Sequence, residues 1–145
     1  MAQWLSFWKK ATRRRNEPLL QGDAVSAIYI PYGMGRIARG DVIYCVGLEA
    51  SGLRLITRLY AEALDDDPHD DETVWVDDVE AEAVDADFHR VVPDEVIDAV
   101  RYLHVDGTEH RVRRDAGGGV LPHAFAGRSS IRELTAGCDA LDALL

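Results

Sequence analysis

The clearest signal in the chain is the arrangement of apolar and polar side chains over residues 41–64. Residues 41–48 are dense in β-branched, aromatic and other apolar side chains, residues 49–52 carry turn chemistry, and residues 53–64 alternate. Leu53, Leu55, Thr57, Leu59 and Ala61 fall on one face, and Arg54, Ile56, Arg58, Tyr60 and Glu62 on the other. A period of two predicts an antiparallel hairpin with one packed face.

The same reasoning extends outward. Residues 4–8 (Trp-Leu-Ser-Phe-Trp) read as a first strand, and the basic residues 9–16 as one or two helical turns. Residues 25–30 are a second apolar run, broken by Pro31, Gly33 and Gly35. Residues 65–72 are too polar to pack and are expected as a loop, residues 74–76 as a short strand, and residues 80–87 as either an edge strand or an irregular exposed segment. Pro93 in the first turn and Val96, Val100 and Leu103 at i, i+4 and i+7 predict a helix over residues 93–103. Ser130 and Glu133 have the spacing of a capping box. Thr135 is the better N-cap for a final helix over residues 136–145, with Leu141, Leu144 and Leu145 as its apolar face. The predicted class is α+β within the wider α/β group, in a single domain over residues 1–145.

Composition narrows the function classes. The 145 residues are 47% hydrophobic and 29% charged, values of a folded chain. No apolar run reaches the ~20 residues of a membrane span, and the order of aromatics and charge at residues 1–10 is not that of a secretory signal. Cys45 and Cys138 stand far apart with no CxxC pair, as expected of buried thiols in a reducing cytoplasm. The net charge of −10 is unevenly spread. Residues 1–60 hold nine basic and four acidic side chains, whereas residues 61–98 hold one and sixteen. A basic first part beside an acidic middle suits an anionic partner for the former.

Catalytic signatures are missing. There is no GxSxG, GxxxxGK[ST] or HExxH. Gly33 and Gly35 lack the spacing of a dinucleotide loop, and the five histidines form no i, i+4 helical pair. His69 among acidic residues reads as a solvated loop without calcium-loop spacing. Cys45 reads as a structural thiol, and Gly117, Gly118 and Gly119 as a flexible loop. A non-enzymatic chain without a cofactor is expected.

One segment carries a family likeness. Gly40-Asp41-Val42-Ile43-Tyr44, the turn after it, and the returning Leu53-Arg54-Leu55-Ile56-Thr57-Arg58-Leu59 resemble the central hairpin of PUA-like domains, in particular their EVE and YTH relatives. The aromatic residues 4–8 are similar to the first strand of that group, and residues 128–135 to its closing segment. The resemblance implies a small, strongly curved antiparallel β-barrel with flanking helices. It also implies binding of nucleic acid, DNA or RNA, with a single base, modified or not, held in an aromatic pocket. Unstacking that base costs a few kcal/mol, and each base–aromatic stack returns about 1–3 kcal/mol. Trp4, Trp8, Tyr29 and Tyr32 are the aromatic faces on offer, with Ser6 and Ser26 as small hydrogen-bonding groups. Alternation places Trp4, Ser6 and Trp8 on one side of the first strand, leaving Leu5 and Phe7 for the core. Lys9, Lys10, Arg13, Arg36 and Arg39 are expected to bind phosphates, and Arg58 a phosphate or a base edge.

A different class competes with this reading. The acidic residues 61–98 suit a protein-interaction or regulatory module that mimics DNA charge and binds no nucleic acid. A base reader of this size also needs an effector protein supplied from elsewhere.

Overall fold

The computed structural model describes residues 1–20, 27–29, 37–49, 52–64, 73–79, 90–104, 106–120 and 131–145, and among these described residues nine strands and three helices follow one another. In chain order they are β1 (Gln3–Phe7), α1 (Lys10–Leu20), β2 (Ala27–Tyr29), β3 (Val42–Glu49), β4 (Gly52–Leu64), β5 (Thr73–Val79) and β6 (Arg90–Val91). Then come α2 (Asp94–Ala99), β7 (Arg101–Leu103), β8 (Glu109–Arg111), β9 (Ile131–Ala136) and α3 (Cys138–Asp142). A central sheet of six strands runs β2-β5-β4-β3-β1-β9. Beyond β9 it is continued by β7 and β8, and β6 adds to the side of β4. The β1–β3 pair is parallel and the others are antiparallel.

The α+β class and the mostly antiparallel sheet agree with the sequence. The barrel does not: β2 and β8 end opposite edges of the path, and the sheet is neither closed nor strongly curled. Accepting β9 on the free side of β1 extends the sheet outward.

The hairpin of β3 and β4 is present, but its faces are not those of strict alternation. Cys45 pairs with Thr57 and Val46 with Leu55, so Ile56 is an extra residue in β4. A bulge of one residue exchanges the two faces of the strand beyond it. Leu53 and Leu55 therefore share a core with Tyr44 and Val46, while Leu59 and Ala61 belong to a second core with Ile43 and Cys45. The two cores lie on opposite sides of the sheet. The first is closed by Ile97 and Val100 at α2, Tyr102 from β7, and Cys138 and Leu141 from α3. Over the second side lies α1, whose Thr12 and Asn16 are buried. Gly47 admits it: a Cβ there would stand 3.2 Å from both Arg13 Cδ and Ile56 Cδ1.

Other boundaries shift for local reasons. Residues 93–103 are not one helix: α2 stops at Ala99, Val100 is extended, and β7 follows. Glu133 of the expected capping box lies within β9, residues 131–136, which pairs with β1 and β7, and Ser130 lies outside the described residues. The N-cap of α3 is Gly137 at φ +93°, not Thr135. Leu141 is buried, and Leu144 and Leu145 pack against the same core, as the pattern predicts. The glycine-rich segment is organised by Asp115, whose Oδ1 accepts the N–H groups of Gly117 and Gly119. Arg114 ties that segment to Asp94 and Asp98 of α2. Residues 65–72 and 80–87 lie outside the described residues.

Candidate functional site

The parallel pairing of β1 and β3 brings their carboxyl ends to the same end of the sheet, where the chain turns from β1 into α1. A cavity of about 610 Å³ occupies this place, lined by Phe7, Trp8, Lys9, Lys10, Arg13, Leu48 and Glu49. Its volume lies within the range of small-molecule sites. Phe7 ends β1 and Trp8 follows it, Leu48 and Glu49 come from the end of β3, and the three cations from the first turn of α1 and the residue before it.

Charge at this cavity is built in two tiers. Lys9 and Lys10, the only lysines in the chain, are exposed. They stand where α1 presents unpaired backbone N–H groups and the positive end of its dipole. Arg13 sits deeper and is occupied: Nη2 is 2.7 Å from Glu49 Oε1, and Nε is 3.0 Å from Glu17 Oε1. Burial works against its charge, but the hydrogen bonds and charges of Glu49 and Glu17 outweigh that and raise its pKa. Glu49 is shared, since its Oε2 accepts from Arg54 Nε at 2.8 Å.

The structure divides the residues expected at a base pocket. Trp4, Ser6 and Trp8 do share one side of β1, but that side is interior: they are 7%, 0% and 1% exposed. Trp4 and Trp8 pack in the second core with Ile37, Ile43 and Ile131. Both indole N–H groups are used internally, Trp4 Nε1 donating to Asp41 Oδ2 at 2.9 Å and Trp8 Nε1 to Ser6 Oγ at 3.2 Å. Both rings are thus almost wholly covered, although Trp8 also borders the cavity. The expectation that Leu5 and Phe7 alone make the core assumed a sheet covered on one side, whereas this sheet is covered on both.

Arg58 lies on the other side of the sheet. Its Nη1 is 2.6 Å from Asp142 Oδ1 of α3, an atom that also accepts from the Tyr44 hydroxyl at 2.7 Å, and its guanidinium lies 5.2 Å from the Tyr60 ring centre. The bulge at Ile56 sets this direction, and Arg58 fastens α3 to the sheet. Arg39 is exposed in the turn before β3, at the end of that strand remote from Lys9 and Lys10. The strand between them spans about 25 Å. Tyr29 has its backbone in β2, and its side chain lies outside the described residues, as do Ser26, Tyr32 and Arg36. Of the expected phosphate ligands, Lys9, Lys10 and Arg13 are thus brought together.

Phe7, Leu48 and Glu49 were not foreseen at a site, because a strand end looks in sequence like any other core segment. Cys45 is fully buried, and burial alone pushes its thiol well above the ordinary range. A covered thiol of this kind is inert, in keeping with a structural role. No helix among the described residues is long and apolar enough to cross a membrane. No family model, curated protein or solved structure matches the chain.

Proposed function

We propose that this chain is a nucleic-acid-binding module that places phosphates on Lys9 and Lys10 and a neighbouring base or sugar over the cavity beside them. The observation that carries the reading is the position of those two exposed lysines, at the mouth of a 610 Å³ cavity and at the start of α1. A phosphate there meets two free ammonium groups together with the helix N–H groups, a favourable setting for an anion. Phe7 and Leu48 add apolar lining suited to the unstacked, less polar part of a nucleotide. The sequence likeness of residues 40–59 to PUA-like domains prompts the ligand class, although the open sheet is not the barrel that likeness implies. The contacts to the base differ from those the likeness implies, because Trp4 and Trp8 serve the core.

The test is a salt series of fluorescence-anisotropy titrations with labelled single-stranded DNA and RNA. Binding is expected to weaken with salt, with a log–log slope of about −0.7 for each phosphate contact. Lys9→Ala with Lys10→Ala should reduce that slope by about two contacts, or 1.4. Absence of binding at low salt, or a slope unaffected by the double substitution, defeats the reading. Capture of a basic protein through the acidic residues 61–98 would then be the reading to pursue.

A further inference from the structure

The geometry points to a divalent transition-metal site on the β7–β8 hairpin, formed by His104, Asp106 and His110, which takes an ion of the Zn2+ type. One ligand atom from each of these three residues lies within 4.8 Å of those of the other two.

The hairpin itself builds the cluster. Gly107, at φ +81°, donates its N–H to His104 O at 2.8 Å, and His104 N–H is 2.8 Å from Thr108 O. These bonds bring the ends of the turn together. Tyr102 pairs with His110 across the ladder, and His104 follows Tyr102 by two residues, so both histidines stand on one face. Their ring centres are 4.9 Å apart. Asp106 is folded back over the turn by Thr108, whose backbone N–H and hydroxyl both donate to Oδ1, at 2.9 and 2.5 Å. The same hydroxyl oxygen lies 2.7 Å from His110 Nε2. Thr108 therefore positions two of the three ligands, as partners outside the coordination sphere commonly do.

A second observation is independent of this clustering. The Nδ1 atom of His104 is covered, while the side chain as a whole is 41% exposed, and it has no hydrogen-bond partner among the described residues. It stands 3.6 Å from Asp106 Oδ1, too far for a hydrogen bond. Two donor atoms that share a tetrahedral ion, each bonded at about 2.0–2.1 Å, lie about 3.4 Å apart. An ion between these atoms satisfies the nitrogen and neutralises the carboxylate together. Two imidazoles and one carboxylate favour Zn2+ and its neighbours over Mg2+ and Ca2+, which prefer sets of oxygen ligands. Three protein ligands leave the fourth position to water or to a group from a partner.

The site is tested on the full chain after treatment with chelator. Calorimetric titration with Zn2+ should show saturable binding of one ion per chain, with Mg2+ as the control that does not bind. Co2+ should give the visible absorption of a tetrahedral nitrogen–oxygen site. Loss of an outer positioning partner costs about 10–100-fold in metal affinity. Thr108→Val should fall in that range, Thr108→Ser should restore affinity, and His104→Ala and His110→Ala should each lose more. Wild-type protein gives a readout that needs no variant: Zn2+ should protect His104 and His110 from diethyl pyrocarbonate, as mapped by mass spectrometry. The proposal is overturned if Zn2+ does not bind, if binding survives in the His104→Ala/His110→Ala double variant, or if the two rings are modified equally fast with and without Zn2+.

Discussion

The indole N–H of Trp4 donates to Oδ2 of Asp41 across 2.9 Å, joining the start of β1 to the turn that leads into β3. Asp41 is 3% exposed and accepts two further N–H groups, from Ala2 at 2.9 Å and Ala38 at 2.8 Å. The acidic member of the Gly40-Asp41 pair is thus an internal fastening between two neighbouring strands.

Asp41→Ala strands three donors and should cost about 2–4 kcal/mol in urea unfolding, with Asp41→Asn less harmful because one oxygen still accepts. Burial alone would raise the Asp41 pKa, but the bonds from Ala38, Trp4 and Ala2 outweigh it and hold the carboxyl below its usual value. Its stabilisation is therefore complete above the unfolded pKa of about 4 and is lost as pH falls through the lower folded value. Unfolding midpoints measured from pH 5 downward should fall less steeply in Asp41→Asn than in wild type. Equal slopes would remove Asp41 from the acid response.

Gly137→Ala should be among the most damaging glycine substitutions. A Cβ there would lie 2.8 Å from Val100 Cα and 3.0 Å from Ala99 O, backbone atoms that cannot swing away, at φ +93°. Strain and displacement together should cost roughly 3 kcal/mol. Gly40→Ala is the comparison: φ is +88° but the space is open, so only the conformational penalty of about 1–2 kcal/mol applies. Similar thermal shifts for the two variants would contradict the close approach of α2 to the corner between β9 and α3.

Trp8→Ala should destabilise by about 3–5 kcal/mol, as expected of a buried aromatic residue, because Trp8 is 1% exposed. Under conditions where the variant remains folded, its oligonucleotide affinity should change by less than the 1–3 kcal/mol of a base stack. A large loss of affinity with wild-type unfolding behaviour would return Trp8 to the ligand.

Glu49→Gln releases one carboxylate partner from each of Arg13 and Arg54. These pairs are partly solvated, so the stability cost should be below about 1 kcal/mol. The cavity becomes more positive, and the affinity for single-stranded oligonucleotides at low salt should rise. Unchanged or weaker binding would place the nucleic acid elsewhere.

The hairpin and its neighbours were legible in sequence: β1, β3, β4 and the start of α2 fall within about a residue of where the apolar pattern places them. What escaped depended on partners distant in sequence. Residues 131–136 contain two apolar side chains at helical spacing, Ile131 and Leu134, and become β9 because β1 and β7 stand ready to pair with them. The bulge left one trace, the apolar Ile56 on an otherwise polar face. It alone decides that Arg58 turns toward Asp142 rather than toward the Trp4 side. The basic tract at residues 9–13 was readable as an anion site from composition, but the cavity beside it arises from the pairing of β1 with β3. His104 and His110 looked scattered because a helical spacing was sought. The Asp106-Gly107 turn between them is the local signal that a hairpin brings them face to face.

The position of β1 bears on how the chain folds. Its residues are held on one side by β3 and on the other by β9, with Ser6 paired to Ile131. That second ladder closes more than a hundred residues of chain, and its entropic cost is met before its contacts form. The β3–β4 hairpin can assemble early, yet the middle of the sheet stays incomplete until residue 136 is available. Until then β1 has an unpaired edge beside a surface containing Trp4 and Trp8. Folding should be slow for a domain of this size, in the millisecond-to-second range of folds dominated by distant pairings. The interval before β9 docks is when self-association through that edge competes with folding.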